Sequence, residues 1–105
     1  TRADHPDVSN QLFSAYAKVQ DARALASVIG EEELSDSAKA YLEFGRMFEK
    51  YFLDQGFDDN RSIDATIDLG WDLLCLLPKE ELDRMDSKLI EAHYNPRRAD
   101  RFRQK

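Results

Sequence analysis

Apolar residues return every three or four positions along almost all of this 105-residue chain, and no stretch alternates apolar with polar residues as a half-buried strand would. Val8, Leu12, Tyr16, Val19, Leu25, Val28 and Ile29 trace one stripe on a long first helix. Asp4 stands where an N-cap is expected, Pro6 falls in the first turn where a missing N–H costs nothing, and Gly30 follows as a stop. A second helix opens after the N-cap Ser35, with Asp36 in its first turn. It carries Tyr41, Leu42, Phe44, Met47, Phe48, Tyr51 and Phe52 and ends at Gly56. The third starts near Ser62, with Asp64 early, and carries Ile63, Ile67, Trp71, Leu74 and Cys75. It runs through Leu77 to Pro78, which bars the residue before it from the helical region. A short helical turn from Pro78 to Leu82 and a short helix from Ser87 to His93 precede Asn95-Pro96. The expected fold is all-α: a small bundle of three main helices plus short C-terminal ones over residues 1–95, then a basic tail over 96–105.

At this length one modest core can form, covering roughly two-thirds of the surface of the unfolded chain. No apolar run approaches the ~20 residues needed to span a bilayer, so direct membrane insertion is not expected. Cys75, the single cysteine, excludes an internal disulfide and suits a reducing interior. Asn60-Arg61-Ser62 has the spacing of a glycosylation sequon but is read as chance, since nothing at the N-terminus looks like a secretory signal. The chain opens on Thr1 rather than methionine, which suits a piece of something longer.

The net charge of −6 is unevenly spread. Residues 96–105 hold Arg97, Arg98, Arg101, Arg103 and Lys105 against Asp100, while the other 95 residues carry 10 bases and 20 acids. An acidic body argues against phosphate-backbone binding, and the tail lacks aromatic interleaving beyond Phe102, so no nucleic acid partner is expected.

The chemistry of an autonomous enzyme is missing from the pattern. Gly30, Gly45, Gly56 and Gly70 are isolated, so no glycine-rich loop is there to wrap phosphates. His5 and His93 stand at opposite ends and Cys75 lies in an apolar helical run, which leaves neither a metal-ligand cluster nor a nucleophile pair. The paired acids, including Asp58-Asp59 and Glu80-Glu81, read as solvated faces and helix starts, and the aromatic row of the second helix reads as core. No catalytic, cofactor or metal residue is assigned. One segment stands apart: Glu31, Glu32, Glu33, Leu34, Ser35 and Asp36 form an acidic turn between two long helices. It suits either contact with a basic partner surface, Leu34 supplying an apolar touch, or plain helix punctuation.

At that turn the sequence resembles a known family. The run from Ala24 to Ser35, Ala-Leu-Ala-Ser-Val-Ile-Gly-Glu-Glu-Glu-Leu-Ser, is similar to the helix–turn–helix of rotary ATPase C-terminal domains. There, the F-type catalytic subunit carries an acidic Asp-Glu-Leu-Ser motif facing the rotating stalk. Asp4-His5, Val8-Ser9-Asn10-Gln11-Leu12, Ala15-Tyr16-Ala17 and the stretch from Gln55 to Ile63 resemble the B subunit of archaeal (A-type) and vacuolar-type ATPases. So do Asp68-Leu69-Gly70-Trp71-Asp72-Leu73-Leu74 and Leu77-Pro78-Lys79-Glu80-Glu81-Leu82, and the resemblance covers nearly all of residues 4–94.

The resemblance implies the C-terminal helical domain of a non-catalytic, regulatory subunit that alternates with a catalytic A subunit in a hexameric head. The head sits on the cytoplasmic side of a membrane as part of a peripheral complex. The domain would face the central stalk, in a machine that makes ATP from an ion gradient or pumps ions with ATP. Nucleotide would be bound by a domain absent here, so no cofactor is expected in this piece, which should be monomeric alone. Two departures from the family's pattern bear on the transfer: the N-terminal barrel and nucleotide-binding domain are absent, so no nucleotide-contacting residue is assigned, and the F-type loop is more acidic after Leu-Ser, where this chain continues Asp36-Ser37-Ala38; the tail from Arg97 matches no family motif. A passive collar with no stalk contact is the alternative reading; an autonomous nucleotide-binding domain is a weaker one.

Overall fold

A computed structural model of the chain describes residues 3–53 and 62–103. These residues form five α-helices and no strands: α1 (His5–Ile29), α2 (Asp36–Phe48), α3 (Ile63–Leu74), α4 (Ser87–His93) and α5 (Asp100–Arg103). Tight 3-10 turns at Glu31–Glu33, Lys79–Glu81 and Pro96–Ala99 connect them, and a wider π-helical turn, Glu49–Leu53, follows α2. The all-α bundle with three main helices is therefore as the sequence leads one to expect. The expected stop of the second helix at Gly56 and the motif at 55–61 lie outside the described residues.

Most helix ends follow from local chemistry. Ser35 Oγ accepts from Ala38 N at 3.2 Å and Ser62 Oγ from Ala65 N at 3.1 Å, each satisfying an amide that the helix itself leaves without a partner. Gly30 ends α1 at φ 89°, a left-handed conformation that a side chain would strain, and its amide returns to Ala26 O at 2.8 Å. Two ends differ from expectation. The α-helical part of α3 stops at Leu74, and turns bonded Leu76 N to Leu73 O and Leu77 N to Leu74 O carry the chain to Pro78. Asp4 does not cap α1 with its side chain; the carboxylate is buried and accepts from Trp71 Nε1 at 2.8 Å.

α1, 25 residues and about 37 Å long, is the axis of the bundle and packs along both α2 and α3. Glycine lets the helices close up on each side. A Cβ at Gly45 of α2 would collide with Val19 Cγ1, and one at Gly70 of α3 would press on Val8 Cγ1. The core between them holds Val8, Leu12, Ala15 and Val19 of α1, Tyr41, Phe44 and Phe48 of α2, and Ile67, Trp71 and Leu74 of α3. Phe44, Phe48 and Phe52 form a stacked row with ring centroids 5.6 and 5.2 Å apart, so the aromatic row is packing. Cys75 is buried too, which pushes its thiol pKa up.

The segment read as a basic tail is folded against the bundle as far as residue 103. Ala99 and Phe102 are buried, Arg98 Nε donates to Asp72 Oδ1 at 2.7 Å, and Arg101 Nη1 donates to Asp72 Oδ2 at 2.9 Å. One carboxylate of α3 thus gathers two of the arginines that give this stretch its positive balance.

Candidate functional surface

The acidic turn is placed by the two helices it joins. α1 ends at Ile29, Gly30 turns the chain, and Glu31–Glu33 make one 3-10 turn before Ser35 caps α2. Glu31, Glu32, Glu33, Ser35 and Asp36 are all exposed. Of the acids, Asp36 lies in the first turn of α2, where a helix dipole favours negative charge by about 0.3–1 kcal/mol at the surface. Leu34 behaves differently. It is 5% exposed and belongs to the core cluster, so it anchors the turn from beneath and cannot supply the apolar part of a contact.

That apolar part lies on α1 instead. Four large hydrophobic side chains are exposed in the described structure, and three of them (Leu25, Val28 and Ile29) stand in the last turns of α1 beside the acids. Val28 is 80% exposed. The tip of the bundle therefore combines solvent-facing aliphatic groups with four carboxylate-bearing residues, the mixture that a partner with apolar and basic side chains would meet. The apolar stripe read along α1 is thus buried at Val8, Leu12 and Val19 and exposed at Leu25, Val28 and Ile29.

Behind the tip, α1 and α2 are tied by a polar cluster that the sequence pattern does not reveal. Arg23 Nη1 and Nη2 donate to the two oxygens of Glu49 at 2.9 and 2.8 Å, and Tyr16 Oη donates to Glu49 Oε2 at 2.8 Å. The Arg23 fork, and then the Tyr16 hydroxyl, hold the Glu49 pKa down at about 2. The bond to Glu49 in turn raises the Tyr16 phenol above its ordinary value. At the opposite end of the molecule Gln11 is fully buried. Its Nε2 donates to Glu81 O at 3.3 Å and its Oε1 accepts from Arg84 N at 2.7 Å, fixing the 79–84 turn to α1. Tyr41 Oη donates to Glu81 Oε1 at 2.7 Å; burial, then this bond, raises its pKa.

Among the described residues, no three His, Cys, Asp or Glu lie together so as to hold a metal ion. Among the same residues, no helix is long and apolar enough to cross a membrane.

Comparison with known proteins agrees with the motifs. Residues 1–94 match the family described as the C-terminal domain of V and A type ATP synthase. Over 94 residues, covering 90% of this chain, the sequence is 58% identical to the V-type ATP synthase beta chain 2 of Clostridium tetani. It is 50% identical over 101 residues, 96% of the chain, to the B subunit of the A-type ATP synthase of Halorubrum lacusprofundi. It is 48% identical over 94 residues, 90% of the chain, to the corresponding B subunit of Saccharolobus islandicus. The chain spans 20%, 21% and 20% of those relatives, about a fifth of their length. With the helical fold and the turn after Gly30 in place, the conclusion is direct: the chain belongs to the family of C-terminal domains of V- and A-type ATP synthases, and the relatives it matches are the B subunits, or beta chains, of those machines.

Proposed function

We propose that this domain is the stalk-facing part of a non-catalytic, regulatory B subunit in a rotary A/V-type ATP synthase. It rides with a nucleotide-binding domain elsewhere in the same polypeptide and meets the central stalk through the tip formed by Leu25, Val28, Ile29, Glu31, Glu32, Glu33 and Asp36. The catalytic A subunit is its neighbour in the head. The head works on the cytoplasmic side of the membrane in ATP synthesis or hydrolysis coupled to an ion gradient, and any nucleotide is held outside this domain. One observation carries the reading: exposed aliphatic side chains and exposed acids lie together at one end of the bundle.

The test is charge reversal of Glu31, Glu32 and Glu33 to Lys in the full-length protein, assembled into the head. Stalk affinity should fall by about tenfold at low ionic strength, and the gap should narrow as salt screens the exposed charges. Unchanged affinity at every salt concentration would leave the passive-collar reading in its place.

A further inference from the structure

Beside the acidic tip, the seam between α1 and α2 opens into a groove of about 590 Å³ whose lining includes Arg23, Ala26, Gly30, Glu31, Leu42 and Arg46. The groove is polar at both ends and apolar in the middle. Glu31 stands at the tip end. Arg46 stands at the level of Gly45, which packs against Val19 and Arg23. Ala26 and Leu42 line the stretch between. Seven residues of α1 separate Arg23 from Gly30, so the two charged ends are about 10 Å apart, two helical turns. Gly30 contributes no side chain, and a Cβ there would meet nothing within 4 Å, which keeps the tip end open.

The two arginines are not equivalent. Arg23 gives both terminal nitrogens to Glu49 and is neutralised by it. Arg46 is exposed, and its side chain makes no hydrogen bond or ion pair among the described residues. A guanidinium fork left open above an apolar floor matches a carboxylate, with two parallel N–H···O bonds available. The acids at the tip end repel a polyanion, so an extended phosphate chain or a nucleic acid is disfavoured. A protein segment carrying charges of both signs fits both ends.

We infer that this groove receives a carboxylate side chain from the docked protein partner, which lies along the α1–α2 seam. That segment presents a basic residue to Glu31 and an Asp or Glu to Arg46, about two helical turns apart. The inference rests on the stalk-contact reading above and adds the charge pattern of the partner and its direction along the seam. It also assigns the tip to docking and the Arg46 end to selecting register, since a one-turn shift takes the partner's acid away from Arg46 and a two-turn shift sets like charges together.

The experiment uses the full-length protein in the assembled head, with Arg46→Glu and Arg46→Lys variants and a photo-crosslinking residue placed at exposed Ser27. Arg46→Glu should weaken stalk affinity by about tenfold, and Arg46→Lys by a few-fold because the planar fork is lost. The Ser27 crosslink should fall on a stalk segment bearing an acidic residue, and exchanging that acid for Lys should restore binding to Arg46→Glu. Full affinity in folded Arg46→Glu, while reversal of Glu31–Glu33 still weakens binding, would overturn the groove and leave the tip standing. Loss of effect in both variants would overturn both. Crosslinks only to a neighbouring head subunit or to a second copy would overturn the inference as well.

Discussion

The two ends of α1 live in different surroundings. At its start, Asp4 accepts from the Trp71 indole, His93 stacks on Trp71 with ring centroids 4.9 Å apart, and Gln11 is fully enclosed with partners on both ends of its amide. At its finish, Leu25, Val28 and Ile29 face solvent beside Glu31–Glu33, and Arg46 stands without a partner among the described residues. The first end buries Asp4, Gln11 and Trp71 with their partners inside the domain, although Phe13 beside it is exposed, while the second leaves three aliphatic side chains and its acids in solvent. On the proposed reading, stability and recognition belong to opposite ends of one helix, and changes at each should be read by different instruments.

The sharpest way to break that division is at Trp71, which is fully buried. Trp71→Ala should cost about 3–5 kcal/mol, most of the stability of an ordinary domain, because it opens a cavity and strips Asp4 of its indole donor. Urea unfolding measures this directly. A loss under 1 kcal/mol would mean that the N-terminal end does not hold the bundle.

A smaller effect is expected at Glu49, midway between the two ends. Its carboxyl is about a third exposed, so Glu49→Gln should lose only about 1 kcal/mol near neutral pH after screening by water. The sign of the pH dependence follows from the folded pKa of about 2 against an ordinary 4.5. The carboxylate's contribution is fully present above 4.5 and fades as pH falls towards 2, so the stability curves of the native and Gln chains should converge over that window. Parallel curves would show that Arg23 and Tyr16 do not hold the charged form.

Least of all should be felt at the tip. Val28→Ser should shift stability by no more than about 0.5 kcal/mol, since an exposed methyl pair is removed. Stalk affinity should nonetheless fall several-fold if the side chain is covered on docking. A stability loss above 1 kcal/mol with unchanged affinity would place Val28 with the core and erase the contrast.

Much of this arrangement is legible in the chain. Ser35, Ser62 and Gly30 announce helix boundaries through local hydrogen bonding and backbone sterics, which depend on few neighbours. The exposure of Val28 is legible too, although a three-or-four rule applied loosely hides it. The buried apolar positions of α1 (8, 12, 15, 19 and 22) step alternately by four and three, and the next steps fall on Ala26 and Ile29. Leu25 and Val28 precede those by one residue, about 100° round the helix. What the chain does not show are contacts made across long separations. Gln11 meets the 79–84 turn, Asp72 gathers Arg98 and Arg101, and Leu34 turns inward from an otherwise solvated acidic segment. Each depends on which helix faces come together, and that is decided by the packed bundle rather than by any local pattern. Composition alone locates the acidic turn. It points to Leu34 for the apolar half because the nearest hydrophobic residue in sequence is not the nearest at the surface.

The most direct test is hydrogen–deuterium exchange on the full-length protein in the assembled head, with and without the central-stalk subunits. The account predicts new protection concentrated in residues 25–36 and along the seam to Arg46, with the Asp4–Trp71–His93 end unchanged. Protection at that N-terminal end with none at the tip, or no change anywhere in the domain, would contradict it.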